Sequence, residues 1–331
     1  MNKKNFTVAI LALAAGILLG YNLGGKTKNT PIQNKVTITP IKIGRMALSY
    51  PHAPSILLDK KGFLEESNLN NYELKFFTSG SKASLALGVK EVDAAFLGAI
   101  IPAVANGLEA KIVAMNSNGG VQVACMTPGI SSLEDLKGKK VGHIGLTASP
   151  TTIFNMAIKK MGIFKDDIEL ISIDRTNIIL ALTEKNAIDC AVFMEPLTSA
   201  AVKNGAYVAI DEKEVYNNGN YPLTFLAVND NFVKENHETV EKLIKAHYAS
   251  QSFIENNQEE TLTVLGDYFK ENETEISKEK LESGLSVNIF TQKISRSTLE
   301  EMMLVMKESG DIEEVIPFED LVDCSFGLCI E

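Results

Sequence analysis

The residues best placed to do chemistry in this chain are small ones. Five stretches share one form: a β-like run ends, glycine or hydroxyl residues follow, and a helical run begins. They are Ser49-Tyr50-Pro51-His52 before Ala53, Thr78-Ser79-Gly80-Ser81 before Lys82, Gly98-Ala99 before Ile100, Thr147-Ala148-Ser149 before Pro150-Thr151-Thr152, and Met194-Glu195-Pro196 before Leu197. A helix start carries backbone N–H groups without intrahelical partners and a partial positive charge. Several starts converging on one point hold an anion without any lysine or arginine. Taken singly, each loop is also explained by ordinary capping, with serine or threonine as cap and proline at the first helical position.

Two of these loops carry groups that tune the ligand. Glu195 repels an anion unless a donor lies between, and suits an amino group; its plain alternative is a capping glutamate. His52 and Tyr50 can stack on a ring or donate to an oxygen; their plain alternatives are a surface residue at a helix start and a rim residue. The candidate ligand-binding residues are therefore Ser49, Tyr50, His52, Ser79, Gly80, Ser81, Gly98, Ala99, Thr147, Ala148, Ser149, Thr151, Glu195 and Thr224.

Catalytic patterns do not emerge. The stretch VGHIGLTASPTTIFNM has neither GxGxxG nor GxxxxGK[ST], which argues against a nucleotide site. The four histidines, His52, His143, His237 and His247, fall in no zinc-type spacing. No GxSxG elbow occurs. The pairs Asp166-Asp167 and Glu259-Glu260 read as solvated faces. The expectation is a protein without catalysis, cofactor or metal site.

Composition narrows the partners. Of 331 residues, 45% are hydrophobic, enough for a large core, and the net charge is −10. The only arginines are Arg45, Arg175 and Arg296. A nucleic-acid binder carries a basic stripe, and none is present.

At the N-terminus, Lys3 and Lys4 precede the apolar run VAILALAAGILL. This reads as an export signal. Counted from Phe6 to Leu23, the run is just long enough to span a bilayer, so an uncleaved anchor is the alternative. Residues 1–24 are thus signal peptide or membrane anchor, and residues 25–40 a flexible linker. No cysteine near the run allows lipid attachment. Cys125 and Cys190 sit in apolar runs as small core residues, whereas Cys324 and Cys329 are spaced to close a small disulfide in an oxidising exterior.

The elements that must position the loops alternate. ITPIKIGRMAL, YELKFFT, DAAFL, AKIVAMN and VQVACM read as strands, with helical APSILLDKKGFLEE, SKASLALGVK and IIPAVANG between them. A second block repeats the alternation: a short capped helix in SSLEDLKGKK, with Ser131 or Ser132 answered by Glu134 or Asp135, then a strand over 140–144, a helix after Ser149, IELISI, a helix over 178–185, and AIDCAVF. This is an α/β fold with largely parallel sheets. The blocks echo each other: Asp93 matches Asp189, Pro102 roughly matches Pro196, and Asn106-Gly107 matches Asn204-Gly205. Two such lobes face each other across a cleft, where small ligands bind. Beyond Thr224, FLAVND reads as a strand, 232–256 as one long helix capped by Asp230, and 297–309 as a helix with a Ser297/Glu300 capping box.

In that order, PHAPSILLDKKGFLEESNL, FTSGSKASLALGVKEVDAAFLGAIIPAVANG, SSLEDLKGKKVG and AIDCAVFMEPLTSAAVKNG resemble the extracytoplasmic solute-binding proteins of ABC importers, in the branch for nitrate, sulfonate, taurine and thiamine-pyrimidine precursors. The resemblance covers residues 41–255 best. It implies a type II periplasmic-binding-protein fold, two α/β lobes joined by two crossing strands near Cys125–Thr127 and Pro222–Leu226. Lobe one is then 41–125 and 225–331, and lobe two 126–224. It implies an exported monomer at the outer face of the cytoplasmic membrane or in the periplasm. Such a protein captures a small sulfonate or related oxyanion for a permease with its ATPase subunit. The alternatives are a binder of a pyrimidine-type thiamine precursor, or an enzyme of cofactor biosynthesis on the same fold. The departure is the apolar front end without a lipid-bearing cysteine.

Overall fold

The strands gather into two main sheets that repeat one topology. The computed structural model describes residues 40–46, 49–184, 187–272 and 276–330; the expected signal or anchor and nearly all of the linker lie outside them. Four strands open the chain: β1 (Ile41–Met46), β2 (Tyr72–Phe77), β3 (Ala94–Leu97) and β4 (Ala110–Gly119). Five follow: β5 (Gln122–Cys125), β6 (Lys140–His143), β7 (Glu169–Ser172), β8 (Cys190–Phe193) and β9 (Tyr207–Ile210). The chain then returns through β10 (Pro222–Asn229) and adds the short β11 (Asn288–Ile289). The first sheet runs β11-β4-β10-β3-β1-β2 and the second β7-β6-β8-β5-β9.

Read from one edge, β2-β1-β3-β10-β4 and β7-β6-β8-β5-β9 coincide strand for strand. In each sheet the first three strands are parallel and the fourth runs against both neighbours. The antiparallel member is in each case the strand that directly follows a crossing, β10 in the first sheet and β5 in the second. β5, assigned to lobe one from sequence, hydrogen-bonds in the second sheet, and the start of β10, assigned to lobe two, lies in the first. The outward crossing turns at Gly119 and Gly120, whose φ of 76° and 85° lie in the left-handed region that glycine enters without a Cβ penalty.

The repeat extends to individual hydrogen bonds. Asp93 Oδ2 accepts from Lys42 N at 2.8 Å, and Asp189 Oδ2 accepts from Lys140 N at 2.8 Å. Asn106 Nδ2 donates to the carbonyl four residues back, on Pro102, and Asn204 Nδ2 does the same to Ala200. Pro102 therefore corresponds to Ala200, and the expected match with Pro196 is off by a helical turn.

All four residues of β3 and all eight of β10 are buried. This explains their continuous apolar reading, because a strand covered on both faces has no polar side. One face of the first sheet packs Ile43, Phe96 and Leu226 against Leu243, Leu265 and Phe269. The other packs Ile112, Met115 and Phe225 into a core shared with Phe154 and Met303.

Several local expectations need correction. The long helix is two, Asp230–Glu235 and His237–Asn256, broken at Asn236. Its cap is Asn229, whose side chain accepts from Asn231 N, and not Asp230. The helix Arg296–Glu308 is capped by Ser295 without a capping box at Ser297. Cys125 and Cys190 are buried, as core residues should be, but they are also bonded to each other across paired positions of β5 and β8. Cys324 and Cys329 form the expected small disulfide. Among the described residues, no helix is long and apolar enough to cross a membrane.

Candidate ligand cleft

A cavity of about 140 Å³ lies where the parallel strands of both sheets end. From the first sheet it is lined by Met46 at the end of β1, Ser49 and His52 after it, Thr78 to Ser81 after β2, and Gly98 and Ala99 after β3. From the second it is lined by Ile144, Ala148, Ser149 and Pro150 after β6, Arg175 after β7, and Met194 after β8. Leu223 and Thr224 of β10 complete it. The crevice beyond the carboxyl ends of parallel strands is where α/β sheets bind ligands. The volume is close to the ~150 Å³ that accepts a benzene-sized guest, so the cavity suits a small compound.

The two halves touch at this point. A Cβ built on Gly98 would stand 2.4 Å from Ser149 Oγ and 2.9 Å from Leu223 O. Only glycine allows the loop after β3 to meet the start of helix Ser149–Lys160 so closely.

Ten of the fourteen expected residues line the cavity: Ser49, His52, Ser79, Gly80, Ser81, Gly98, Ala99, Ala148, Ser149 and Thr224. Ser79 also caps its helix, its hydroxyl accepting from Lys82 N at 3.3 Å. Four residues lie elsewhere. Tyr50 is buried against Phe269, ring centroids 5.3 Å apart, and is no rim residue. Thr147 faces a separate shallow groove beside Leu85. Thr151 is buried and donates to Gly145 O at 2.7 Å. Glu195 accepts from Ser199 N at 3.1 Å and Ser199 Oγ at 3.0 Å and is buried. Burial raises the Glu195 carboxyl above its usual range against the pull of those two hydrogen bonds. Burial and the nearby Glu195 charge together push the Tyr50 hydroxyl up.

Arg175 is the lining residue that the five-loop reading passed over, and among the described residues that line the cavity it is the only charged one. The repeat could have found it. β7 corresponds to β2, so its following loop corresponds to Thr78–Ser81. The other two arginines are in ion pairs, Arg45 with Asp59 and Arg296 with Glu300 and Glu319. Among the described residues no carboxylate pairs with Arg175. Burial lowers its pKa, as expected of a cation short of water and counter-charge.

His52 is buried, not at the surface. Burial, then the charges of Arg175 and Arg45, lower its pKa to about 3, so its imidazole is neutral. Behind it, Asn116 Nδ2 donates to Pro51 O at 2.8 Å and to Thr224 Oγ1 at 2.7 Å, and the Ser117 and Thr224 hydroxyls are 2.6 Å apart. Among the described residues, no group of three or more His, Cys, Asp or Glu is arranged to hold a metal ion.

Residues 34–265 match the model of the NMT1-like family. A Brucella abortus protein named only as a binding protein is 26% identical over 242 residues, 72% of this chain and 75% of its own length. The ligand-binding component of an ABC-type import system from Staphylococcus aureus superposes with a TM-score of 0.73 at 16% identity, covering 87% of this chain and 97% of its own. The periplasmic aliphatic sulphonate binding protein SsuA of Escherichia coli gives 0.71 at 15% identity, covering 87% and 98%. The fold is that of the periplasmic binding proteins, in the two-lobe arrangement expected from sequence.

Proposed function

We propose that this chain, which belongs to the NMT1-like family, is the solute-binding component of an ABC importer and captures a small monoanion of the sulfonate type. The observation that carries this reading is Arg175. It is one guanidinium without a carboxylate partner among the described residues, in a cavity otherwise lined by hydroxyl, apolar and neutral imidazole groups. One positive charge, with helix starts at Gly80 and Ser149 beside it, favours one negative charge. A dianion would keep an uncompensated charge in a half-buried site.

In the proposed mechanism the anion enters between the halves and contacts both. It shifts the population toward the closed form, which then docks on the permease. The E. coli and S. aureus proteins of the same fold are named for sulphonate binding and for ABC-type import, which agrees with this role. The apolar run after Lys3 and Lys4 would export the chain and either be cleaved or tether it. The aminopyrimidine reading relied on Glu195, which lies outside the cavity and is held by Ser199.

The test is thermal unfolding of the full chain with ethanesulfonate, methanesulfonate, nitrate and sulfate. A ligand that binds only the folded form stabilises by about 2.7 kcal/mol at a hundred times its Kd. The midpoint should rise with a sulfonate and not with sulfate. A panel in which no monoanion moves the midpoint would overturn the proposal.

A further inference from the structure

One wall of the cavity is polar, buried and incomplete. Ser49, His52, Asn116 and Thr224 are 2%, 3%, 0% and 3% exposed. Thr224 is fully engaged by Asn116 and Ser117. Ser49 Oγ, His52 Nδ1 and Asn116 Oδ1 have no hydrogen-bond partner among the described residues. Buried polar atoms are rarely left so, because each has given up water without a replacement. Two of the three residues, Ser49 and His52, line the cavity itself. Arg175 reaches the same cavity from the second sheet, whereas this wall belongs to the first. The cavity therefore has one cationic group and, separately, one set of neutral hydrogen-bonding groups in want of a guest.

We infer that the ligand carries, besides its anionic group, an uncharged hydrogen-bonding group such as a hydroxyl, which completes the wall at Ser49 and His52. This rests on the monoanion reading above and deepens it. The second group must be uncharged because no carboxylate lines the cavity among the described residues. An ammonium would meet a neutral imidazole flanked by the guanidiniums of Arg175 and Arg45. A hydroxyl or amide can both donate and accept, as can Ser49 and neutral His52.

Three sulfonates of equal length test this by calorimetry on the full chain: ethanesulfonate, 2-hydroxyethanesulfonate and 2-aminoethanesulfonate. Propionate and 3-hydroxypropionate serve as a matched carboxylate pair. The hydroxylated member of each pair should bind about tenfold tighter than its plain partner, and the amino compound should bind more weakly than the hydroxylated one. Ser49→Ala and, separately, His52→Phe should narrow the hydroxyl preference toward one. Equal affinity within the pairs would mean that water completes the wall, and would overturn the inference while leaving the monoanion reading intact. Tightest binding by the amino compound would overturn it as well. Failure of all five to bind would remove the monoanion reading, and this inference with it.

Discussion

Replacing Gly98 by alanine probes the contact between the two halves with a single methyl group. Gly98 does not need a left-handed backbone, so the change is steric. The new Cβ would lie 2.4 Å from Ser149 Oγ, 3.3 Å from Ser149 Cβ and 2.9 Å from Leu223 O. Ser149 Oγ can rotate away, but the Leu223 carbonyl belongs to β10 and cannot move without its sheet. Overpacking of this kind costs about 1–3 kcal/mol. The Ser149 share of that cost falls on the closed form, because the clash joins a loop of the first sheet to a helix start beyond the second. The whole cost corresponds to about 5- to 150-fold at ~1.4 kcal/mol per tenfold, and ligand affinity should fall by the Ser149 share of that, at least severalfold. Calorimetry with a binding sulfonate measures the loss. A cycle with Ser149→Gly, which removes both Ser149 contacts, should show coupling between the two sites. If Gly98→Ala binds like the wild type, or if the two changes are simply additive, the halves do not close through this contact.

Two further outcomes follow from the core. Burial lowers His52 to about 3 and His247 to about 4. Both lie below their unfolded value near 6.5, so protonation favours the unfolded chain. Stability should be flat above pH ~6.5 and fall as pH drops below it, by roughly 2 kcal/mol per histidine at pH 5; denaturant melts between pH 8 and 5 check this, and His247→Phe should flatten the slope if it folds. The Cys125–Cys190 bond closes 65 residues and the Cys324–Cys329 bond only 5. On the chain-entropy estimate, removing the first pair with alanines costs about 4 kcal/mol and the second about 2; equal losses in urea melts would contradict that ordering.

The architecture was legible because it is written twice. Asp93 and Asp189 make the same backbone contacts, and Asn106-Gly107 and Asn204-Gly205 end helices in the same way. The two aspartates recur at matching positions and reach backbone 51 and 49 residues earlier, whereas the Asn-Gly endings are legible because each is local. Pro196 misled for the same reason: it sits near a helix start but one turn from its supposed partner. The site was legible where loops announce themselves through glycine and hydroxyl residues. It was not legible where one long side chain reaches in from an unmarked turn, as Arg175 does. Direction was also invisible. Glu195 and Thr151 occupy ligand-loop positions, yet their own neighbours Ser199 and Gly145 claim their side chains. Tyr50 faces the core because Phe269 and Gly284, more than 200 residues later, leave room for it. The Cys125–Cys190 bond needed the strand register, which sets the two cysteines opposite each other on β5 and β8. The caps at Asn229 and Ser295 were missed by one and two positions, where neighbouring residues have equal capping chemistry.

The central claim is that Arg175 supplies the charge that holds the ligand. Calorimetric titration of the wild-type chain and of Arg175→Gln with the sulfonate that stabilises it most tests this directly. The account predicts one-to-one binding to the wild type and a loss of about 10- to 150-fold in the variant, the size expected when a charge-assisted hydrogen bond of about 1.5–3 kcal/mol is removed. Undiminished binding by a folded Arg175→Gln protein would contradict it.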